Sequence, residues 1–262
     1  MGDGSKWGLE FRGSRIVAAM LGHLTAHNGL GEGHTVVFGG GSAGGRGAMT
    51  HLDFVASSLP SAGIKHVLGF LDSPYYVETA PYPPADFVGF EEQMKLAYEN
   101  FNTVGVVSDA CGRAYPEAPW KCTFGQFRMP FLTTPYLMAA SQFDGWQISN
   151  EVLGYNGLAK DPKFDVPELA YVDALGERTA ALVSALPSKA NAKKSSVYSI
   201  ACYSHHVSEK AGFYNEVTTR NVSQASALFW FLQESITTPL KYVDSCDPYG
   251  LDCGGFPANH CA

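Results

Sequence analysis

The sequence predicts an α/β fold in which helices cover both faces of a mostly parallel sheet. Short apolar runs of strand length recur along the chain, amphipathic stretches of helical period lie between them, and glycine or proline ends many of these segments. Strands that alternate with helices are joined by right-handed crossovers, which build a parallel sheet with helices on its faces. The 262 residues suit one hydrophobic core, so a single domain over residues 1–262 is expected.

The apolar pattern assigns each helix and strand in turn. Helices are assigned where apolar positions repeat every three or four residues, and strands where short apolar runs stand between turn residues. Residues 80–85, with three prolines, are expected to form a loop, and 111–135 an irregular surface excursion. The expected elements are a helix at 16–24, a strand at 35–38, a helix at 49–59, a strand at 66–71, a helix at 87–101, a strand at 135–141, a helix at 166–186, a strand at 197–202 and a helix at 223–236.

The composition argues against several classes of function. Apolar residues make up 45% of the chain, charged residues 16%, and the net charge is −7, which fits an ordered globular protein without a basic surface for nucleic acid. No apolar run approaches the ~20 residues that a membrane span requires. The first residues do not resemble a signal peptide.

The cysteines favour a secreted, disulfide-bonded protein. There are six, and three of them, Cys246, Cys253 and Cys261, lie close together near the end of the chain. Their spacing lacks the paired CxxC pattern of a zinc site, so no metal is expected. Six reduced structural thiols in a cytosolic protein are the alternative interpretation.

The segment 40–44 carries the pattern G-x-S-x-G between a predicted strand and a predicted helix. Such a turn lifts the Ser42 hydroxyl clear of the sheet and directs backbone N–H groups of the helix start at a developing oxyanion. We therefore predict Ser42 as a nucleophile, with Ala43 and Gly44 as oxyanion contacts. A phosphate-binding loop is a weaker interpretation, because no Lys-Ser/Thr pair follows, and a plain tight turn is the third.

A nucleophilic serine needs a base, and the base needs an orienting carboxylate. In α/β hydrolases these follow along the chain in the order serine, acid, histidine. Asp144 follows the predicted strand 135–141, and His205 follows the predicted strand 197–202. The sequence therefore predicts a triad of Ser42, Asp144 and His205.

Each of these roles has a rival. Asp72 also ends a strand, but it lies too early for the acid and is expected to brace the nucleophile turn. Asp109 lies in the irregular region, and spacing alone does not separate His206 from His205. A metal site at the two histidines is disfavoured, because adjacent side chains on an extended chain point in opposite directions.

Several segments of the chain resemble the pectin acetylesterase/Notum family. The glycine-rich turn is followed by His-Leu-Asp, and both the predicted acid and the predicted histidine lie in segments similar to those of the family. The matching segments are WGLEFRG at 7–13, GGSAGG at 40–45, HLD at 51–53, FLDS at 70–73, AASQFDGWQ at 139–147, CYSH at 202–205 and VDSCDP at 243–248, with a cysteine-rich ending to Cys261.

The resemblance implies an α/β-hydrolase-like fold and extracellular hydrolysis of an oxygen ester through an acyl-enzyme, without a cofactor. It puts the acid on Asp144 and selects His205 over His206. Plant and microbial members act on acetyl groups of pectin, whereas the animal branch removes a fatty acyl group from Wnt proteins. The pair Trp146-Gln147 favours the pectin branch. We expect an acylated polysaccharide as the substrate, an acylated protein as the alternative, and a monomer.

The chain departs from the family at its start. It begins after the position where the family carries a Gly-Gly-Gly-Trp-Cys segment that completes the oxyanion hole, so the resemblance implies a domain that is incomplete at the N-terminus. Removal of one oxyanion donor costs roughly 3 kcal/mol of transition-state stabilisation. A catalytically impaired remnant that acts as a binding module is therefore a further alternative.

Side chains around the triad are expected to contact substrate, and the six cysteines are expected to form disulfides. The side chains expected to contact substrate are Asp72, Phe143, Trp146 and His206. The resemblance also implies a local disulfide within the irregular stretch and a second one that ties the histidine loop to the end of the chain. The implied pairs are Cys111 with Cys122, Cys202 with Cys261, and Cys246 with Cys253.

Overall fold

We describe the fold from a computed structural model of the chain. The structure describes residues 5, 6, 8–59, 62–107, 109–155, 157–160, 162–192, 194–206, 208–209, 211–215, 221–233 and 237–244. The strands are β1 Ser5–Lys6, β2 Leu9–Glu10, β3 Thr35–Gly41, β4 His66–Asp72, β5 Tyr136–Asp144, β6 Ser195–Ser204 and β7 Lys241–Val243. The helices are α1 Gly13–His27, α2 Ala43–Ser58, α3 Phe90–Asn100, α4 Val104–Val107, α5 Ala110–Ala114, α6 Gly125–Arg128, α7 Gly145–Leu153, α8 Val166–Lys189, α9 Gly212–Asn215 and α10 Gln224–Phe231, with 3-10 turns at Pro119–Thr123 and Met129–Phe131.

Five parallel strands form the central sheet, in the order β3-β4-β5-β6-β7. Strands β1 and β2 form a separate antiparallel pair. Because all five strands of the central sheet run in one direction, their carboxyl ends meet at the same edge. That edge carries the ends of β3, β5 and β6, where the predicted triad residues lie. The predicted parallel α/β architecture is confirmed.

The sheet has a core on each face, as alternation along a strand requires. On one face, Tyr136 and Met138 of β5 belong to a large buried cluster that also contains side chains of α2 and α8. On the other face, Leu137 and Ala139 pack with Phe231 of α10. Strand β5 lies in the middle of the sheet, and all nine of its residues are buried. This burial fixes the direction in which the strand presents Asp144 at its end.

The structure differs from the predicted elements mainly at their ends and in one connection. Helix α2 begins at Ala43, before the predicted start, despite three glycines in its first five residues. One of these glycines permits close packing: a Cβ on Gly45 would lie 2.5 Å from the backbone oxygen of Asp72. Helix α7, immediately after β5, was not predicted. It has only 9 residues, and most of them are buried, including the polar Gln147 and Glu151, so it offers a short pattern in which polar side chains stand at buried positions.

The prediction of an irregular surface excursion at 111–135 is wrong. This stretch folds into short helices and 3-10 turns, and many of its side chains are buried. Cys111, Cys122, Phe124 and Met129 are each at most 1% exposed. Helices of one or two turns are too short to show a helical period in the hydrophobic pattern, so they cannot be predicted from it. Their burial depends on packing against the rest of the fold. The predicted loop at 80–85 contains neither helix nor strand.

Candidate active site

Ser42 stands on a sharp bend between β3 and α2. Its backbone adopts φ 53° and ψ −119°, a conformation that is strained for a residue with a side chain. The Ser42 N–H donates to the backbone oxygen of Asp72 at 2.9 Å, which ties the bend to β4. A Cβ on Gly40 would lie 2.6 Å from the carbonyl carbon of Gly44, so glycine is needed where the chain folds back. The bend exposes the hydroxyl at the carboxyl edge of the sheet.

The structure brings Ser42, His205 and Asp144 together. Nε2 of His205 lies 2.7 Å from Oγ of Ser42, and Nδ1 of His205 lies 2.7 Å from Oδ2 of Asp144. His205 is 3% exposed and Asp144 is 6% exposed. An imidazole that donates from Nδ1 to a carboxylate leaves Nε2 to accept from a hydroxyl, which is the arrangement of a general base next to a nucleophile.

Asp144 is positioned by the helix that follows it. Its Oδ1 accepts from the backbone N–H of Gln147 at 2.9 Å, so Asp144 caps the N-terminus of α7 while Oδ2 remains directed at His205. A carboxylate at a helix N-terminus is stabilised by the orphan N–H groups and the helix dipole. The strand end and the helix start therefore hold both oxygens in place.

Aromatic side chains flank the imidazole of His205 on two sides. The rings of Trp146 and Tyr76 are stacked against it, with centroid distances of 6.0 and 6.4 Å, and His206 meets it edge-on at 5.0 Å. Tyr76 is 5% exposed, and burial raises the pKa of its hydroxyl, although a hydrogen bond with the Ser42 side chain acts in the opposite direction. The Tyr76 hydroxyl therefore keeps its proton beside the nucleophile.

Two residues expected to contact substrate lie below the surface of the site. Asp72 is 1% exposed, and its carboxylate accepts from the Ser73 hydroxyl at 3.2 Å and from the Ser208 N–H at 2.9 Å. Together with its backbone contact to Ser42, these bonds make Asp72 a brace beneath the nucleophile bend. Phe143 packs in the core, because the alternation of β5 turns it away from the side on which Asp144 lies.

The other two expected contacts lie next to the triad. Trp146 is in the first turn of α7, against His205. His206 has a positive φ of 35°, and its backbone N–H donates to the Ser73 hydroxyl at 2.9 Å. Its side chain lies against Gly41, at the end of β3. The rival acid Asp109 instead forms an ion pair with Arg128 at 2.6 Å.

Sequence reasoning missed residues that the loop after β4, α3 and the first turn of α2 bring to the site. Tyr76 stacks on Phe90 with a centroid distance of 4.9 Å, and both belong to a buried cluster with Met94. Arg46, in the first turn of α2, lies over the Tyr76 ring with Cζ 5.4 Å from its centroid. The position of Tyr76, four residues beyond the end of β4, was the only signal, since loops at this edge line the site in α/β folds.

Of the implied disulfides, the structure contains the one between Cys111 and Cys122, with a Cα–Cα distance of 5.9 Å. Cys202 is also disulfide-bonded. Its predicted partner Cys261 and the predicted pair of Cys246 and Cys253 lie outside the described residues. Within the described part of the chain, no group of His, Cys, Asp or Glu side chains could hold a metal ion.

A serine on a strained strand–helix bend, facing a histidine and an aspartate at the carboxyl edge of a parallel sheet, defines an α/β-hydrolase-like protein. The family model for pectinacetylesterases matches residues 2–253, and the chain belongs to that family. Among solved structures, the Wnt deacylase Notum from Drosophila superimposes with a TM-score of 0.75 at 23% identity, covering 89% of this chain and 62% of that one. This likeness supports the α/β-hydrolase-like fold.

Curated relatives fall in both branches of the family. The palmitoleoyl-protein carboxylesterase NOTUM of Homo sapiens is 26% identical over 255 residues, which cover 90% of this chain and 48% of that protein. Pectin acetylesterase 7 of Arabidopsis thaliana is 26% identical over 144 residues, which cover 54% of this chain and 34% of that protein. The chain thus spans at most about half the length of the curated relatives it matches. Within the described residues, no helix is long and apolar enough to cross a membrane.

Proposed function

We propose that the chain is a serine carboxylesterase that hydrolyses O-acetyl esters of a polysaccharide such as pectin. The observation that carries this proposal is the pair of 2.7 Å contacts that link the Ser42 hydroxyl, the His205 imidazole and the Asp144 carboxylate in series. Membership in the pectinacetylesterase family supports the same reaction. No cofactor is required, because the three side chains supply the nucleophile, the base and the group that orients the base.

The proposed reaction has two stages. Oγ of Ser42 attacks the ester carbonyl while Nε2 of His205 accepts its proton, and a bond forms between Oγ and the carbonyl carbon. The imidazolium, stabilised by Asp144, then protonates the leaving alcohol oxygen as the carbon–oxygen bond breaks. Water repeats the sequence on the acyl-enzyme, releasing acetate and regenerating Ser42.

The N–H groups of Ala43 and Gly44 are the oxyanion donors in this proposal, since they lie at the start of α2 directly after Ser42. Each donor in such a site contributes on the order of 10²–10³ to the rate. The Tyr76 hydroxyl lies within hydrogen-bonding reach of the Ser42 side chain and keeps its proton, so it orients the nucleophile in the resting site.

Removal of a long acyl chain from a protein is the second candidate function. It is favoured by the NOTUM proteins of several animals, which align with about 90% of this chain and are described as palmitoleoyl-protein carboxylesterases. A long acyl chain needs a deep apolar cavity, whereas acetate needs a shallow site. The partly buried Arg46 puts a positive charge over the Tyr76 ring, which is unfavourable for a deep apolar cavity there and favours the shallow site.

The proposal is tested by labelling and by acyl-chain preference. The protein is expected to react with a fluorophosphonate probe and to hydrolyse p-nitrophenyl acetate, and Ser42→Ala is expected to abolish both reactions. Preference for p-nitrophenyl palmitate over the acetate would support the second candidate. A folded wild-type chain that does not label at Ser42 would instead indicate a non-catalytic binding module.

We further propose that the protein acts outside the cell as a monomer. The buried disulfide between Cys111 and Cys122 supports the first point, because such bonds persist in oxidising compartments. Detection of the protein in the culture medium of its source cells, together with its mass in solution by light scattering, tests both statements.

A further inference from the structure

Arg46 is a positively charged side chain at the candidate active site for which the proposed reaction has no use. It follows the nucleophile by one helical turn, and its N–H donates to the backbone oxygen of Ser42 at 2.9 Å. Its guanidinium lies over the ring of Tyr76, the same ring that stacks against His205. One aromatic ring therefore contacts both the guanidinium and the imidazole.

The polar surroundings of this guanidinium are sparse. Its Nη2 lies 2.6 Å from Sδ of Met94, and a thioether is a weak acceptor. Within the described part of the chain, no carboxylate forms an ion pair with Arg46. Burial lowers the pKa of Arg46, and the Tyr76 hydroxyl only partly offsets this. A desolvated cation without a carboxylate is costly unless a further partner supplies the missing charge.

The other buried arginine of the chain provides a contrast. Arg128 is 3% exposed, and its guanidinium is paired with Asp109 and donates to the backbone oxygens of Thr50 and Val106. The charge of Arg128 thus has a carboxylate partner within the fold, although its Nε and Nη1 have no hydrogen-bond partner among the described residues. Arg46 is only partly buried, so part of it is accessible from outside, and its charge is open to a carboxylate of a ligand.

We propose that Arg46 determines substrate specificity by binding a carboxylate of the substrate next to the ester that Ser42 attacks. This inference rests on the proposed esterase function and narrows it to acidic substrates. The planar guanidinium matches a carboxylate with two parallel hydrogen bonds. The carboxylate can belong to the alcohol side, as in an acetylated uronic acid polymer, or to the acyl side, as in the monoester of a dicarboxylic acid.

The test compares matched charged and neutral substrates for the wild type and Arg46→Gln. On the alcohol side, the pair is an acetylated oligogalacturonate and the same oligomer with its carboxylates methyl-esterified. On the acyl side, the pair is the 4-methylumbelliferyl monoester of glutaric acid and the corresponding pentanoate. The readout is the ratio of kcat/KM for the charged substrate to kcat/KM for the neutral one. We expect Arg46→Gln to reduce this ratio on the order of 10- to 100-fold in one pair of substrates. The pair that responds shows whether the carboxylate lies on the alcohol side or on the acyl side of the ester.

Two further variants control for charge and shape. Arg15→Gln removes the same charge from an exposed position on α1, and it is expected to leave the ratio unchanged. Arg46→Lys keeps the charge but loses the planar fork, so it should retain only part of the preference. It also serves as the test variant if Arg46→Gln does not fold, as judged by circular dichroism. An unchanged ratio in both substrate pairs would overturn the inference.

A binding measurement separates this inference from the proposed function. Oligogalacturonate is titrated calorimetrically into Ser42→Ala and into the double variant that also carries Arg46→Gln. Affinity that falls about tenfold or more with Arg46→Gln supports the carboxylate site even if the wild type hydrolyses no ester. If the wild type is an active esterase, but neither the binding nor the two substrate ratios respond to Arg46, the function stands and the inference fails.

Discussion

Glu151 provides a sharp test of how this fold handles a buried acid. It lies on α7 and is fully buried, with Oε1 accepting from Nε2 of Gln147 at 3.1 Å. Its Oε2 lies 2.9 Å from the hydroxyl of Tyr171, which also lies 2.6 Å from the backbone oxygen of Ala80. The Tyr171 hydroxyl has one proton for these two acceptors. Protonation of Glu151 removes the competition, because the carboxyl group can then donate to the Tyr171 oxygen.

The electrostatics agree with this hydrogen-bond count. Burial raises the pKa of Glu151 from 4.5 to about 8, against the opposing effect of hydrogen bonds from Tyr171 and Gln147. The folded state therefore holds a proton that the unfolded chain releases, and stability falls as the pH rises from 4.5 to about 8. Since a tenfold change in proton affinity corresponds to about 1.4 kcal/mol, the loss across this window is at most about 5 kcal/mol.

The substitution Glu151→Gln replaces the protonated acid with a neutral group of the same shape, whose N–H can donate to Tyr171. We expect the wild type and this variant to have similar free energies of unfolding at pH 5. At pH 9 the variant should be more stable by several kcal/mol, up to about 5 kcal/mol. Urea unfolding at pH 5, 7 and 9 measures the difference, with Glu117→Gln as a control that removes an exposed carboxylate. A difference that does not grow with pH would refute the reasoning.

Three other predictions concern the acid, the nucleophile bend and the disulfide. Asp144→Asn should lower kcat on p-nitrophenyl acetate by about 10⁴ while the fold, followed by circular dichroism, is retained, because the histidine then adopts the wrong tautomer. Gly40→Ala should reduce fluorophosphonate labelling of Ser42 at least tenfold, since a Cβ there would lie 2.6 Å from the carbonyl carbon of Gly44, whereas Gly105→Ala, a position with no heavy atom within 4 Å of the added Cβ, should label normally. Replacing Cys111 and Cys122 with serine should lower the unfolding free energy by about 3 kcal/mol, measured by urea denaturation.

The central sheet and the meeting of Ser42, Asp144 and His205 at one edge were predictable from the sequence because they follow rules that act locally. A glycine-rich turn between a strand and a helix restricts the position of a serine, and parallel strands bring their carboxyl ends to one edge. The order of Ser42, Asp144 and His205 along the chain then selects the strands that carry them. Their 2.7 Å contacts were not part of that information, since they depend on how the sheet twists and packs.

The walls of the site could not be predicted because they depend on packing between segments that are distant in sequence. Tyr76 and Phe90 meet only when α3 lies across the loop after β4. Arg46 lies in a helix turn rich in glycine, where the sequence indicated a loop rather than a charged side chain directed over a tyrosine ring. Phe143 was expected to contact substrate, but adjacent strand residues point to opposite faces, and its side chain packs in the core away from Asp144.

Helix α7 links these separate parts into one preorganised unit. Its N-cap is Asp144, its first turn carries Trp146, and the side chain of Gln147 exchanges hydrogen bonds with both the N–H and the oxygen of Val77, at 3.1 and 2.7 Å. Val77 directly follows Tyr76, so one helix holds the acid and both aromatic rings that flank His205. An imidazole fixed in this way needs little reorganisation if charge develops on it, as the proposed reaction requires. The buried polar side chains of α7 thus help to hold the imidazole in line with Ser42.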